Sequence, residues 1–366
     1  MRNFDKVKRI VIKIGTNTLT RADKIDGAYV RRVAKQIATL MHDGREVVLV
    51  SSGAIGMGAG QLGIKGQVSS TKRRQACAAI GQPMLMQEYR KAFARNSIAV
   101  AQVLVTAEVL NNRKTYLNLQ NSLDTLAKMG VLAILNENDS VSTDEIGSAF
   151  GDNDTLSALI ASKIDADLLI MLSDIDALYD KDPHRSKNAK PIEAVYEITD
   201  KIVRAAGKRG SARAAGGMKS KIEAAQIASY AGCRMVLADG RARNVIGRIM
   251  AGANIGTIFM PKRKLGNRAR WILNSRAAGT ITIDDGAVEA VGRRKSLLPS
   301  GIASVSGSFE AGAVVMLNNA AKAVTNFSSA ELKTIAGKHT TEIRQILGKE
   351  RRDVVASPED IIFLDF

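Results

Sequence analysis

Residues 131–160 read Val131-Leu-Ala-Ile-Leu-Asn136-Glu-Asn-Asp139-Ser-Val-Ser-Thr-Asp-Glu-Ile-Gly-Ser-Ala-Phe-Gly151-Asp-Asn-Asp154-Thr-Leu-Ser-Ala-Leu-Ile160. The first five form an apolar run of strand length, and the last five are spaced like one face of a helix. Asn136, Asn138, Asp139, Asp152, Asn153 and Asp154 crowd between them. Asp154 is placed to be the N-cap of the helix that follows. A strand end and a helix start that both carry acids and amides describe a polar pocket at a sheet edge, where open α/β sheets bind ligands. One such cluster alone reads most simply as a capped helix after a polar loop. Two clusters joined by a short loop favour a site.

Outward from this stretch the pattern alternates. Strand-like runs occur at 10–14, 47–50, 98–105, 131–135, 168–172, 235–237 and 257–259, and helical periodicity fills 27–42, 70–94, 115–129, 155–164, 218–231 and 242–251. Repeated strand-helix-strand order predicts an α/β fold, a largely parallel sheet with helices on both faces. Residues 261–271 are basic and poor in apolar residues, which reads as a linker. Beyond them, short β-like runs at 280–283, 302–305, 313–317 and 323–327, with helical patches at 329–336 and 341–347, predict a small β-rich domain.

The chain has 366 residues, 45% of them hydrophobic, which is ordinary for two domains that each bury a core. No stretch has the apolar length needed to cross a bilayer. The first residues lack the apolar core of a signal peptide, so a cytoplasmic protein is expected. Cys77 and Cys233 stand far apart in apolar contexts and predict neither a disulfide framework nor a thiolate metal site. His42, His184 and His339 are scattered, which disfavours a histidine metal site.

The net charge of +17 is uneven. Residues 201–271 carry 16 basic and 2 acidic residues, whereas residues 272–366 carry 11 of each. A basic patch can be a nucleic-acid footprint, a field that draws in anionic substrates, or a solvated surface.

Four segments carry chemistry. Lys13, between Ile12 and Ile14 and just before Gly15-Thr16, can lean over a sheet edge toward an anion, although an outward strand lysine is the simpler reading of Lys13 alone. Ser51-Ser52-Gly53-Ala54 follows a strand with small residues that let backbone N–H groups approach an anion. Gly216-Gly217-Met218-Lys219-Ser220-Lys221 opens a helix like a phosphate-binding N-terminus. Leu172-Ser173-Asp174 is a further polar loop directly after a buried strand. A literal G-x-G-x-x-G from Gly58 to Gly63 starts well past its strand, and no acid follows before Glu88 to take a ribose, so a dinucleotide site is rejected. Lysines at two sheet edges with acids between them suit phosphoryl transfer: cations neutralise charge on the transferred group and carboxylates hold the lysines in position. A metal cage is the other reading of so many carboxylates, and the nearby lysines disfavour it.

Together these segments resemble the amino acid kinase family, and within it the glutamate kinases. The matching pieces are residues 11–16, Ser52-Gly53-Ala54-Ile55, Asn136-Glu137-Asn138-Asp139, Gly151-Asp152-Asn153-Asp154, Leu172-Ser173-Asp174 and Gly216-Gly217-Met218 with Lys221. The C-terminal part, with Ser296-Leu297-Leu298-Pro299 and Ala336-Gly337, is similar to a PUA domain. The resemblance implies a three-layer αβα sandwich with a mostly parallel sheet at residues 1–262, a linker at 263–274 and a β-rich PUA-like domain at 275–366. It also implies ATP-dependent phosphorylation of the L-glutamate γ-carboxylate, the first step of proline synthesis, with L-proline as feedback inhibitor and a homo-oligomer as the assembly.

By the same resemblance, Lys13 and Lys221 stabilise the transition state, and Asp152 and Asp154 orient them. Ser52, Asp139 and Asn153 hold glutamate, Asp139 suiting its α-ammonium. Lys13, Ser173, Asp174, Ala215, Gly216, Gly217, Met218, Lys219, Ser220 and Lys221 contact ATP. Mg²⁺ is expected to be held mainly by the ATP phosphates, with no dedicated protein metal site. Ser173 and Ala215 stand where the family often has Thr, and Lys219 adds a cation beside Lys221. RNA, a frequent PUA ligand, is not the expected partner: the PUA-like part is neutral, and phosphate-backbone affinity comes largely from Lys and Arg.

Overall fold

The β-branched run Ile10-Val11-Ile12 forms the centre of strand β1 (Arg9–Ile14), buried on both faces as a central parallel strand requires. The computed structural model describes residues 2–21, 24–141, 153–183, 186, 188–205, 217–262, 264–339, 342–343, 346 and 353–364. The chain divides into two units, Met1–Lys264 and Leu265–Phe366.

In the first unit β1 is joined by β2 (Glu46–Ser51), β3 (Val100–Val105), β4 (Leu132–Glu137), β5 (Leu168–Ser173), β6 (Ala194–Val195), β7 (Arg234–Asp239) and β8 (Thr257–Phe259). The sheet order is β6-β8-β7-β5-β1-β2-β4-β3, and every neighbouring pair is parallel except β7 with β8. The very short β6 extends the sheet beyond β8, an edge the sequence pattern did not predict because two residues carry no periodicity.

Successive side chains of a strand face opposite layers. Ile10, Ile12 and Ile14 enter a core with α1 (Gly27–His42), α2 (Ala54–Gln61) and α3 (Thr71–Ala94). Val11 enters the other core, with α4 (Arg113–Lys128), α5 (Asn153–Lys163) and α6 (Met218–Tyr230). The result is a three-layer αβα sandwich. Lys13, two residues after Val11, belongs to the face shared with α5 and α6, where the functional side chains gather.

The Gly-rich run that mimics a dinucleotide motif has a packing role. A Cβ built on Gly58 would lie 1.9 Å from the Cys77 carbonyl oxygen, and one on Gly81 would lie 1.8 Å from that of Ala54. Helices α2 and α3 therefore meet backbone to backbone. Gly58→Ala and Gly81→Ala are each expected to destabilise the protein by about 1–3 kcal/mol or more. Urea unfolding checks this, and an unchanged midpoint would refute the close approach. Helix α3 also runs through Pro83, which lies on its exposed side.

The second unit holds a sheet of β9 (Gly279–Ile283), β10 (Ile302–Gly307), β11 (Val314–Leu317), β12 (Ala321–Val324) and β13 (Ile361–Phe363), ordered β10-β9-β11-β12-β13. Only β9 with β11 is parallel. Two observations differ from the sequence expectation. Residues placed in a linker form helix α7 (Asn267–Asn274), whose Trp271 and Ile272 pack with Val314 and Val324, and whose Arg268 pairs with Asp360. A helix at Asp285–Gly292, N-capped by Asp284, follows β9. Helix Ser329–Ile335 carries the capping box of Ser328 and Glu331, whereas most of the helical patch expected at 341–347 lies outside the described residues. Among the described residues no helix is long and apolar enough to cross a membrane.

Candidate active site

The site sits at the carboxyl ends of β1, β2, β4 and β5, as open α/β sheets favour. At its centre is Asp154, wholly buried in the first turn of α5. Its Oδ1 pairs with Lys13 from β1, and its Oδ2 accepts from Lys221 Nζ of α6 at 3.0 Å and from Ser220 Oγ at 2.9 Å. Both lysines are buried as well. Burial by itself would push the Asp154 carboxyl up, but the two ammonium groups outweigh it and hold the acid well below the usual carboxylate range. Asp154 is thus a fixed anion between two lysines, and Asp174 also acts electrostatically with Lys221. The structure corrects its expected role as a helix N-cap: the described helix already includes Asn153, and the Asp154 carboxylate turns inward to the lysines.

A second cluster lies one residue away. Asn153 Nδ2 donates to Ser52 Oγ at 2.7 Å, to Asn136 Oδ1 at 2.9 Å and to the Ser51 carbonyl at 3.1 Å. Asn136 Nδ2 in turn donates to Gln82 Oε1 at 2.9 Å, and Ser51 Oγ lies 2.8 Å from Tyr89 Oη. Helix α3 supplies both Gln82 and Tyr89, two turns apart on its buried side. Asp139 follows β4 and is partly buried. Burial, then the neighbouring Glu137, raise its pKa to about 6, with Arg74 opposing them.

The third group flanks Lys221. Ser173 ends β5, and its Oγ donates to Asp174 Oδ1 at 3.0 Å while Asn17 Nδ2 donates to Asp174 Oδ2 at 2.8 Å. Partial burial opposes ionisation of Asp174, yet these hydrogen bonds lower its pKa. Helix α6 begins after Gly217, which has no side chain to cap the first N–H groups, an arrangement suited to an anion.

Of the candidates from sequence, Lys13, Asp154, Lys221 and Ser220 make one cluster, and Ser52 and Asn153 a second beside it. Lys219 is exposed, 3.8 Å from Glu223 on its own helix, and takes no part in the Asp154 cluster. Asp152, Ala215 and Gly216 lie outside the described residues. Gln82, Tyr89 and Asn17 were not singled out as site residues from sequence. Gln82 and Tyr89 sit within a long helical pattern, where a polar residue turned inward carries no local mark.

Residues 8–239 match the amino acid kinase family, and residues 279–347 match the PUA domain. Over 375 aligned positions the chain is 46% identical to the glutamate 5-kinase of Methanosarcina mazei, covering 99% of this chain and 97% of that protein. It is 43% identical to the glutamate 5-kinase of Thermoanaerobacter pseudethanolicus, covering 98% of each. Among solved structures, carbamate kinase from Giardia lamblia bound to AMP-PNP aligns with a TM-score of 0.50 at 17% identity, over 70% of this chain and 99% of that one, a likeness of fold. The chain belongs to the glutamate 5-kinases of the amino acid kinase family and carries a PUA domain after its kinase domain.

Proposed function

We propose that the protein transfers the γ-phosphoryl group of ATP to the side-chain carboxylate of L-glutamate, giving γ-glutamyl phosphate for proline synthesis. The observation that carries the reading is the buried Lys13–Asp154–Lys221 triad beside the Ser52–Asn153–Asn136 cluster. A carboxylate is already an ionised nucleophile, so the reaction needs no general base. One glutamate oxygen attacks the γ-phosphorus, the bond to the ADP oxygen breaks, and no proton moves. What the transition state needs is positive charge held in place, because charge spreads over the transferred group. Lys13 and Lys221 supply it, and Asp154 fixes their spacing. Asp154 cannot serve as a base near neutral pH, since its lysines keep it ionised far below that range.

Ser52 and Asn153 would hold glutamate, with Asp139 on its α-ammonium, and Ser173, Asp174 and the start of α6 would contact ATP. Both oxygens of Asp154 are engaged, and no group of three His, Cys, Asp or Glu side chains among the described residues is arranged to hold a metal. Mg²⁺ would enter with ATP, adding charge neutralisation on the phosphates. Feedback inhibition by proline and a homo-oligomer complete the proposal on the ground of family membership.

Coupled ADP release with glutamate, aspartate and N-acetylglutamate tests the reading. Turnover is expected with glutamate foremost, because N-acetylation removes the ammonium that Asp139 would meet. No glutamate turnover would sink it. The reading also sets a pH dependence. Asp139 takes up a proton near pH 6 in the free enzyme, and only its ionised form attracts an ammonium. The glutamate KM is expected to be flat well above that pH and to rise roughly tenfold per unit below it. A glutamate KM independent of pH between 5 and 8 would remove Asp139 from the site.

A further inference from the structure

The polar chain behind the amino-acid site runs deeper than the residues that would touch a ligand. Gln82 is 7% exposed and Asn136 2%, and their amides stand in series with Asn153. Each link fixes the polarity of the next. Because Asn136 Nδ2 donates to Gln82 Oε1, its Oδ1 is turned to Asn153. Because Asn153 Nδ2 then serves Asn136, Ser52 and Ser51, the polar atom that amide can offer a ligand is Oδ1, a pure acceptor. Ser52 Oγ, already accepting from Asn153, has its proton free to donate. The pair thus presents an acceptor and a donor side by side, matching an ammonium and a carboxylate on one carbon.

Gln82 anchors this order from helix α3 at a cost to the fold. Among the described residues its buried Nε2 has no hydrogen-bond partner, a polar group that packing alone does not require. We propose that Gln82 is a positioning residue for amino-acid specificity. Its Oε1 locks the amides of Asn136 and Asn153 in the orientation that recognises an α-ammonium group. The inference rests on the glutamate reading above.

The test compares Gln82→Met and Gln82→Glu with the wild-type protein, using glutamate and glutarate, which lacks the amine. Without Gln82 the Asn136 amide is free to turn over, and Asn153 can present its NH₂ to the ammonium. Gln82→Met is expected to raise the glutamate KM about tenfold, the loss of one well-made hydrogen bond to a charged group. The ATP KM, kcat and the glutarate KM should stay within about twofold of wild type, and the thermal midpoint should shift little, since the unpaired Nε2 is gone while the buried Asn136 amide loses its acceptor. Gln82→Glu keeps an acceptor for Asn136 and is expected to recover most of the glutamate affinity. An unchanged glutamate KM in Gln82→Met overturns the proposal. So does a parallel rise for glutamate, glutarate and ATP with a lowered midpoint, which would mark a merely structural residue. Absence of glutamate turnover in the wild type removes the functional reading and this inference together, whereas normal wild-type turnover with an unshifted variant removes only the inference.

Discussion

Asp154→Asn is expected to lower kcat by about 10³-fold or more, because it disturbs two cations at once. The native carboxylate offers an acceptor oxygen to each lysine. An asparagine keeps one acceptor and turns an NH₂ donor toward the other ammonium, which is then repelled from its place. The same change strips the buried lysines of their counter-charge. Removing one partner of a buried ion cluster costs roughly 3–5 kcal/mol, since the groups left behind have no water to replace it. Asp154, Lys13 and Lys221 are all essentially excluded from solvent, so the full effect applies. The acid limb of stability gives an independent check. The folded carboxyl lies below its ordinary value of 3.8, so its contribution is complete above that pH and fades as the pH falls toward the folded value. Wild type and variant should therefore differ by a constant amount in urea unfolding from pH 7 down to about pH 4, and begin to approach each other only below that pH. A variant with turnover within tenfold of wild type would show that the lysines do not need this carboxylate.

How much of this was visible in the chain depends on the scale of the signal. The parallel sheet could be read because β1, β2, β4, β5 and β7 are continuous apolar runs separated by helical periodicity. Lys13, Asp154 and Lys221 could be read because each breaks such a pattern at a strand end or helix start, where open sheets bind ligands. What brings them together could not: that Lys13 shares a sheet face with α5 and α6 follows from the pairing of β1 with β5 and from the layer each helix joins. Gln82 escaped for the opposite reason. It lies in mid-helix, and its meaning comes from Asn136, 54 residues away. Helix α7 was hidden by averaging, since its basic residues mask the buried Trp271 and Ile272. Local propensity rules make Asp154 a cap because they describe backbone needs, whereas in the fold a tertiary charge pair takes precedence.

Lys221→Met is expected to cut kcat by about 10²–10³-fold while leaving the fold nearly intact, the complement of the Asp154 result. Methionine matches the length and apolar stem of lysine but lacks the ammonium. Asp154 is not abandoned in this variant: Lys13 still pairs with Oδ1, and Ser220 still donates to Oδ2 at 2.9 Å. Stability should thus change far less than in Asp154→Asn, and the loss should fall on the transition state rather than on glutamate binding, so kcat drops with the glutamate KM within a few-fold. Lys221→Arg is not expected to rescue turnover, because a planar guanidinium cannot occupy the same buried point beside Asp154. Lys219→Met, on the exposed side of the same helix, should retain nearly full activity. The double variant Asp154→Asn/Lys221→Met carries the argument furthest. If Asp154 acts by holding the lysines, its loss already includes much of what Lys221 contributes, and the double variant should fall well short of the product of the two single effects. Fully multiplicative losses would mean that the carboxylate and the ammonium act on the reaction separately, and the triad would cease to be one unit.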